Sequence, residues 1–225
     1  MPQNPTRTAR TRTEILDHAG RLFRLRGYSG TNIDDVMLAA GLTRGGFYAH
    51  FKSKDELFTE AVIAGTGLRA RLRSAVPATV LKAYLDKTEL VASAPTCVLA
   101  ALSSDVARAP LIARLAYANL LYATIAELAG PKRRKLDADA TVAAILAIGA
   151  VTLARASGDM RLSDWLLRCA ERAVRPLLKP RASPKWKRSK SRPKAAGGPR
   201  SKPAARSRGG RAAAAPKARS SAARR

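Results

Sequence analysis

Apolar positions recur at spacings of three and four residues from Thr13 to Leu178, with no alternating run, so the pattern predicts an all-α chain. The first helix should span about Thr13 to Arg26, burying Ile15, Leu16, Ala19, Leu22 and Phe23, with Gly27 as its stop and Tyr28 packed back against it. A second runs from Asn32 to Ala40 with Ile33, Val36, Met37 and Ala40 inward. Thr31 is placed to cap it, Asp34 stands three residues on, and Asp35 adds negative charge at the positive end of the dipole. Gly41 offers the left-handed residue that ends it. Thr43 then supplies another hydroxyl cap, and a helix over Arg44 to Phe51 puts Phe47 and Phe51 on one face. Ser53 with Glu56 forms a capping box for a further helix through Leu57, Phe58, Ala61 and Val62, which continues past Gly65, Thr66 and Gly67 to Leu72. Two glycines inside a helix cost about 2 kcal/mol together, so they serve either a close helix approach or a joint.

From Pro77 onward the pattern predicts helices over about 78–90, 96–108, 110–129, 137–157 and 163–178, divided by Pro95, Pro110, Gly130-Pro131 and Gly158-Asp159. Ala143, Ala147, Ala150 and Ala154 make a smooth face that a second helix can approach closely. With Leu166, Cys169, Ala170, Ala173 and Val174 it is the candidate homodimer interface, a four-helix bundle of two helices from each subunit; intramolecular core is the competing assignment.

The stretch Thr31 to Leu57 reads T-x-x-x-x-V-x-x-x-A-G-L-T-R-G-G-F-Y-A-H-F-K-S-K-D-E-L, and it resembles the DNA-binding domain of TetR-family transcriptional regulators over about Thr13 to Phe58. The resemblance implies a helix-turn-helix, with Thr31, Tyr48, His50 and Lys54 on phosphates and Thr43, Arg44, Gly45 and Gly46 at base edges. Phe47 and Phe51 would be core. It further implies an all-helical homodimer on a palindromic operator in double-stranded DNA, with a C-terminal domain that binds a small molecule and thereby releases the DNA. The glycine pair removes side chains that other members could use to read bases.

Charge sharpens the picture. The chain of 225 residues carries a net +26, and 17 of its 42 Lys and Arg fall after Leu178, where no Asp or Glu occurs. Such a balance favours a polyanionic partner, with nucleic acid ahead of a membrane surface because the basic segment has no apolar face. Residues 179–225 are built of Lys, Arg, Pro, Ala, Ser and Gly, with Trp186 as the one large hydrophobe, so they should be disordered. That composition resembles tails of linker histones and basic nucleoid proteins. It should add affinity for DNA without sequence preference and steepen the salt dependence; Trp186 could also stack on an unpaired base.

No apolar run follows the basic N-terminus, and the longest uncharged apolar stretch, Ala140 to Ala154, is 15 residues, short of the roughly 20 that span a bilayer. The expected location is cytoplasmic and nucleoid-associated, with no membrane partner. Cys97 and Cys169 stand far apart in no metal-like spacing. His18 and His50 are the only histidines, and no nucleophile elbow, phosphate loop or metal cluster is visible, so neither enzyme activity, a metal nor a cofactor is expected. Tyr84, Cys97, Tyr117 and Tyr122 are the candidate lining of a ligand pocket, with Ser103, Asp105 and Asn119 as further polar residues in those helices. Cys97, if in a helix's first turn, could favour a thiolate, although a small buried hydrophobe is the plainer role.

The expected organisation is a flexible arm at 1–12, a TetR-type helix-turn-helix domain at 13–60, a ligand-binding and dimerisation domain at 61–178, and a disordered basic tail at 179–225. The expected function is a sequence-specific transcriptional regulator, a repressor released by ligand. The rival is an architectural, DNA-compacting protein dominated by its tail.

Overall fold

A computed structural model describes residues 5–87, 97–130 and 137–178, and the expected tail at 179–225 lies outside the described residues. Helix α1 spans Pro5–Arg26 and α2 Ile33–Ala39, followed by a 3-10 segment Arg44–Ala49, α3 at Lys54–Ala64, α4 at Gly67–Ser74 and α5 at Pro77–Tyr84. Then come two short helices, α6 at Val98–Ala101 and α7 at Ser103–Ala107, and three long ones, α8 at Leu111–Ala129, α9 at Ala138–Ala156 and α10 at Met160–Leu177. The described residues contain no strand. The all-α expectation therefore holds.

Several local expectations change. The arm is helical from Pro5, and α1 is held at its N-terminal half by Arg12, whose guanidinium pairs with Glu60 and lies 4.4 Å from the centre of the Phe51 ring. Thr31 does not cap α2. Asn32 occupies the N-cap, without a side-chain bond, while the buried Thr31 hydroxyl donates to the Gly27 carbonyl at 2.9 Å and serves the C-terminus of α1 instead. The segment after Thr43 is a 3-10 helix of 6 residues, not an α-helix. Residues 96–108 break at Leu102 into α6 and α7, and α10 begins earlier than predicted because the Asp159 carboxylate accepts from the amides of Arg161 and Leu162 at 2.7 and 3.2 Å. Ser53 does cap α3, accepting from the Glu56 amide at 3.1 Å.

The predicted continuous helix across Gly65 to Gly67 is broken. Helix α3 ends at Ala64 and α4 starts at Gly67, with Gly65 between them pressed against α6. A Cβ at Gly65 would stand 2.1 Å from Cγ2 of the fully buried Val98. The glycine thus serves both purposes, a close approach and a joint.

All described residues fall within one compact unit with one continuous core. Helix α9 packs between α8 and α10, and α8 also meets α3 and α4, tying the N-terminal helices to the bundle. The alanine face of α9 is spent inside the subunit: Ala143, Ala147, Ala150 and Ala154 are buried, as are Ala170 and Val174 of α10. At the corner between these helices the buried Ser163 hydroxyl donates to the Ala154 carbonyl at 2.7 Å. By length and composition α8 and α9 are each apolar enough to cross a membrane, which the uncharged-run criterion missed; both are built into this bundle.

Gly65→Ala should destabilise the fold by about 1–3 kcal/mol, as overpacking does, although alanine is the better helix former. Adding Val98→Ala should recover part of that loss in a denaturation-based double-mutant cycle; additive losses would show that the two positions do not press on one another.

Candidate nucleic-acid interface

The interface is assembled on an aromatic base. Phe47 and Phe51 are buried and stack at 5.8 Å between ring centres, while Phe23, Phe58 and Tyr28 form a second cluster with Phe23–Phe58 and Tyr28–Phe58 edge contacts at 5.1 Å. With Phe47 anchored inward, the other side of the 3-10 turn is forced outward. Thr43, Arg44, Gly45 and Tyr48 are exposed, Tyr48 by 62 %.

The exposed residues are not loose. Arg44 donates to the Asp34 carboxylate at 2.7 Å, so the acid assigned to a cap instead steadies a base-edge candidate. This pair is solvent-exposed and contributes at most about 1 kcal/mol. Arg26 and Asp35 make a similar pair at 3.1 Å. Lys54 places its ammonium 4.2 Å from the centre of the Tyr28 ring, a cation–π contact that fixes it at the first turn of α3. The Tyr28 hydroxyl bonds to Asp55, and its amide donates to Asp105 of α7 at 3.2 Å. His50 is half-buried; its carbonyl accepts from Arg12 at 3.4 Å, and its Nδ1 has no hydrogen bond among the described residues.

The two glycines differ. A Cβ at Gly46 would touch Cε of Met37 at 3.6 Å, whereas one at Gly45 would meet nothing within 4 Å. Neither has a positive φ. Packing and backbone geometry therefore leave Gly45 free to be another residue.

Of the eight candidate DNA contacts, Thr43, Arg44, Gly45 and Tyr48 are exposed and Gly46, His50 and Lys54 half-buried, so seven keep some surface. Thr31 does not, because its side chain is buried and its hydroxyl is committed to Gly27. The Tyr28 support beneath Lys54 and the Asp34 partner of Arg44 went unread, since both residues carried an adequate local role already.

The pocket candidates fare differently. Two clefts stand out among the described residues of the bundle. One, of about 480 Å³, is lined by residues of α8, α4 and the α3 end; the other, of about 380 Å³, lies between α5 and the end of α10. None of Tyr84, Cys97, Tyr117 and Tyr122 lines either, and Asn119 alone of the polar residues singled out does. Tyr84 and Cys97 are buried, Tyr117 donates to the Leu99 carbonyl at 2.6 Å, and Tyr122 is 55 % exposed. These are core or surface residues because aromatic size and helical phase, not polarity, decided their placement. No group of acidic, His or Cys side chains suited to a metal occurs among the described residues.

Residues 15–61 match the family model for bacterial regulatory proteins, tetR family. These residues form a TetR-family DNA-binding domain. The chain is 52 % identical over 50 residues to the HTH-type transcriptional regulator AcrR of Shigella flexneri, covering 22 % of this chain and 23 % of that protein. It is 36 % identical over 61 residues to the HTH-type transcriptional repressor KstR2 of Mycolicibacterium smegmatis, 27 % and 30 % of the two chains. The aligned part thus spans less than a third of either relative. In three dimensions a likeness in fold extends through the bundle: the reduced form of E. coli NemR superposes with a TM-score of 0.60 at 21 % identity, covering 74 % of this chain and 96 % of that one. A TetR-family regulator from Cytophaga hutchinsonii gives 0.57 at 20 % identity, covering 76 % and 96 %. At such identity these two show the fold.

Burial, and for Tyr28 also the bond to Asp55, pushes the Tyr28 and Tyr117 phenols up to about 12 from 10. An unfolded chain would release these protons near pH 10 while the folded chain keeps them. Stability from both phenols should therefore be complete below pH 10 and fall as pH rises toward about 12. The check is denaturant unfolding across that range, where Tyr28→Phe plus Tyr117→Phe should flatten the decline; an unchanged slope would place its origin elsewhere.

Proposed function

We propose that this protein is a homodimeric transcriptional regulator that lays the Arg44–Ala49 turn in the major groove of a palindromic operator, and that it acts as a repressor whose grip is released by a small molecule. The observation that carries the DNA reading is the outward face of that turn, where Gly45 has open space around it and no conformational need to be glycine. A bare backbone on a face with Arg44 and Thr43 suits close approach to base edges. Tyr48, His50 and Lys54 are then the phosphate contacts. Thr31 leaves that set.

Dimerisation needs a different face from the alanine one. On α9 Val142, Ile145 and Leu153 are exposed with Gly149 at the same helical spacing, and on α10 Leu162, Trp165 and Ala173 are exposed. A Cβ at Gly149 would meet nothing within the subunit. Exposed apolar stripes on two helices packed against each other suit an interface, and a second copy would bury them in a four-helix bundle. Two turns set about one DNA helical repeat apart then read two half-sites.

The basic segment after Leu178 adds phosphate contacts of no sequence preference, which in this reading assist the turn without replacing it. If the protein were architectural, binding would compact long DNA and select no palindrome.

Selection from a random duplex library at near-physiological salt should enrich a palindrome with full-length protein, and with protein ending at Leu178 as well. Gly45→Ala should leave stability unchanged or raise it by up to about 1 kcal/mol, yet weaken binding to that palindrome. Arg44→Ala should cost about 1–3 kcal/mol on it and relax preference at one base pair per half-site. A lack of enrichment, with tail-dependent binding to all DNA, would favour the architectural reading. Ile145→Glu with Trp165→Glu should yield a folded monomer by sedimentation; an intact dimer would move the interface elsewhere.

A further inference from the structure

The larger cleft is lined by Arg69, whose ion-pair neighbours bear on what it can hold. Glu127 of α8 stands between two arginines of α4, 2.7 Å from Nε of Arg73 and 3.5 Å from Nε of Arg69. One carboxylate thus serves two guanidiniums, and the shorter contact goes to Arg73. The Nε of Arg69 is buried and makes no hydrogen bond among the described residues, although Arg69 lines the cleft. A buried donor without an acceptor is costly, and a planar guanidinium accepts a carboxylate in a two-point grip.

The remaining wall is apolar. Ile63, Ile112 and Leu115 line the cleft and are more than half exposed, while Leu120 lies buried at its floor. Thr66 and Asn119 are its uncharged polar groups. A cationic occupant would meet Arg69 as a like charge, and a neutral apolar one would leave its Nε with only the 3.5 Å ion-pair contact to Glu127 and no hydrogen bond. Arg69 is the one charged residue of this lining, and with Glu127 and Arg73 outside it the three groups sum to +1, which matches a single negative charge better than a phosphate monoester dianion.

We propose that the cleft between α8 and the α3–α4 joint binds a small amphipathic carboxylate, its apolar chain along Ile112 and Leu115 and its carboxylate on Arg69. The volume of about 480 Å³ lies in the range of small-molecule sites. Ile63 belongs to the last turn of α3 and Thr66 to the joint, so the occupant touches the DNA-binding helices and the bundle at once. Its effect on DNA rests on the regulator reading above; its binding does not.

The test uses full-length protein without DNA, with decanoate, decanol and acetate compared by equilibrium dialysis below micellar concentration. Decanoate should bind saturably and about tenfold or more tighter than decanol, a difference that separates head-group recognition from chain burial, with acetate too weak to detect. Arg69→Gln should erase that preference while leaving decanol unchanged. Glu127→Gln, which frees Arg69 of its competitor, should tighten decanoate. Equal affinity for decanoate and decanol, a preference that survives Arg69→Gln, or decanoate binding that vanishes on removing residues after Leu178 would overturn the proposal. Adding the selected palindrome separates the two readings: decanoate held at Arg69 without loss of DNA affinity sinks the regulatory consequence, whereas absent decanoate binding sinks the site and leaves DNA recognition standing.

Discussion

The burial of Phe47 and Phe51 is the constraint on which the rest depends. A six-residue 3-10 segment with two glycines has too few internal hydrogen bonds and too little propensity to persist alone. Its geometry is imposed by two rings that leave water together, backed by Arg12 over Phe51 and by Met37 of α2 beneath Gly46. Because those rings set the rotation of the turn, they also decide that Arg44, Gly45 and Tyr48 face outward. The chemistry of the interface is thus a by-product of where the aromatic core pulls.

That core reaches the bundle at two tight points. One is Gly65, where the chain passes so near Val98 that a methyl group has no room. The other is the Asp105 carboxylate, which takes the Tyr28 amide just beyond the end of α1. Tyr28 in turn carries Lys54 on its ring and Asp55 on its hydroxyl. Asp105 of α7 is thereby joined to the first turn of α3 through Tyr28 by two hydrogen bonds, and α6 meets the far end of α3 by packing at Gly65.

Much of this was legible in the residues. The periodic stripes placed the helices, Gly27 and Gly41 marked helix ends by their positive φ, and Ser53 with Glu56 marked a start. Failures came where a residue had two adequate roles and tertiary structure chose the less local one. Thr31 caps the helix behind it; Asp34 holds Arg44; the α9 alanines meet α10 within the subunit. The break at Leu102 and the loss of the α-helical form after Thr43 reflect long-range packing that overrides propensity. The tyrosines were placed in a pocket by polarity, yet ring size and phase put Tyr84 in the core and Tyr122 on the surface. Arg69 was hidden as one of several arginines on α4, since only the geometry reveals that its neighbour's carboxylate is already engaged.

The empty space around Gly45 has an evolutionary meaning. Side chains at Phe47, Phe51 or Gly65 are held by the core, so their replacement is judged first on whether the protein folds. A residue at 45 meets no such filter. On the proposed reading of the turn, mutations there are screened on DNA preference alone, which makes this position a place where a lineage can drift from one operator to another while the scaffold stays intact.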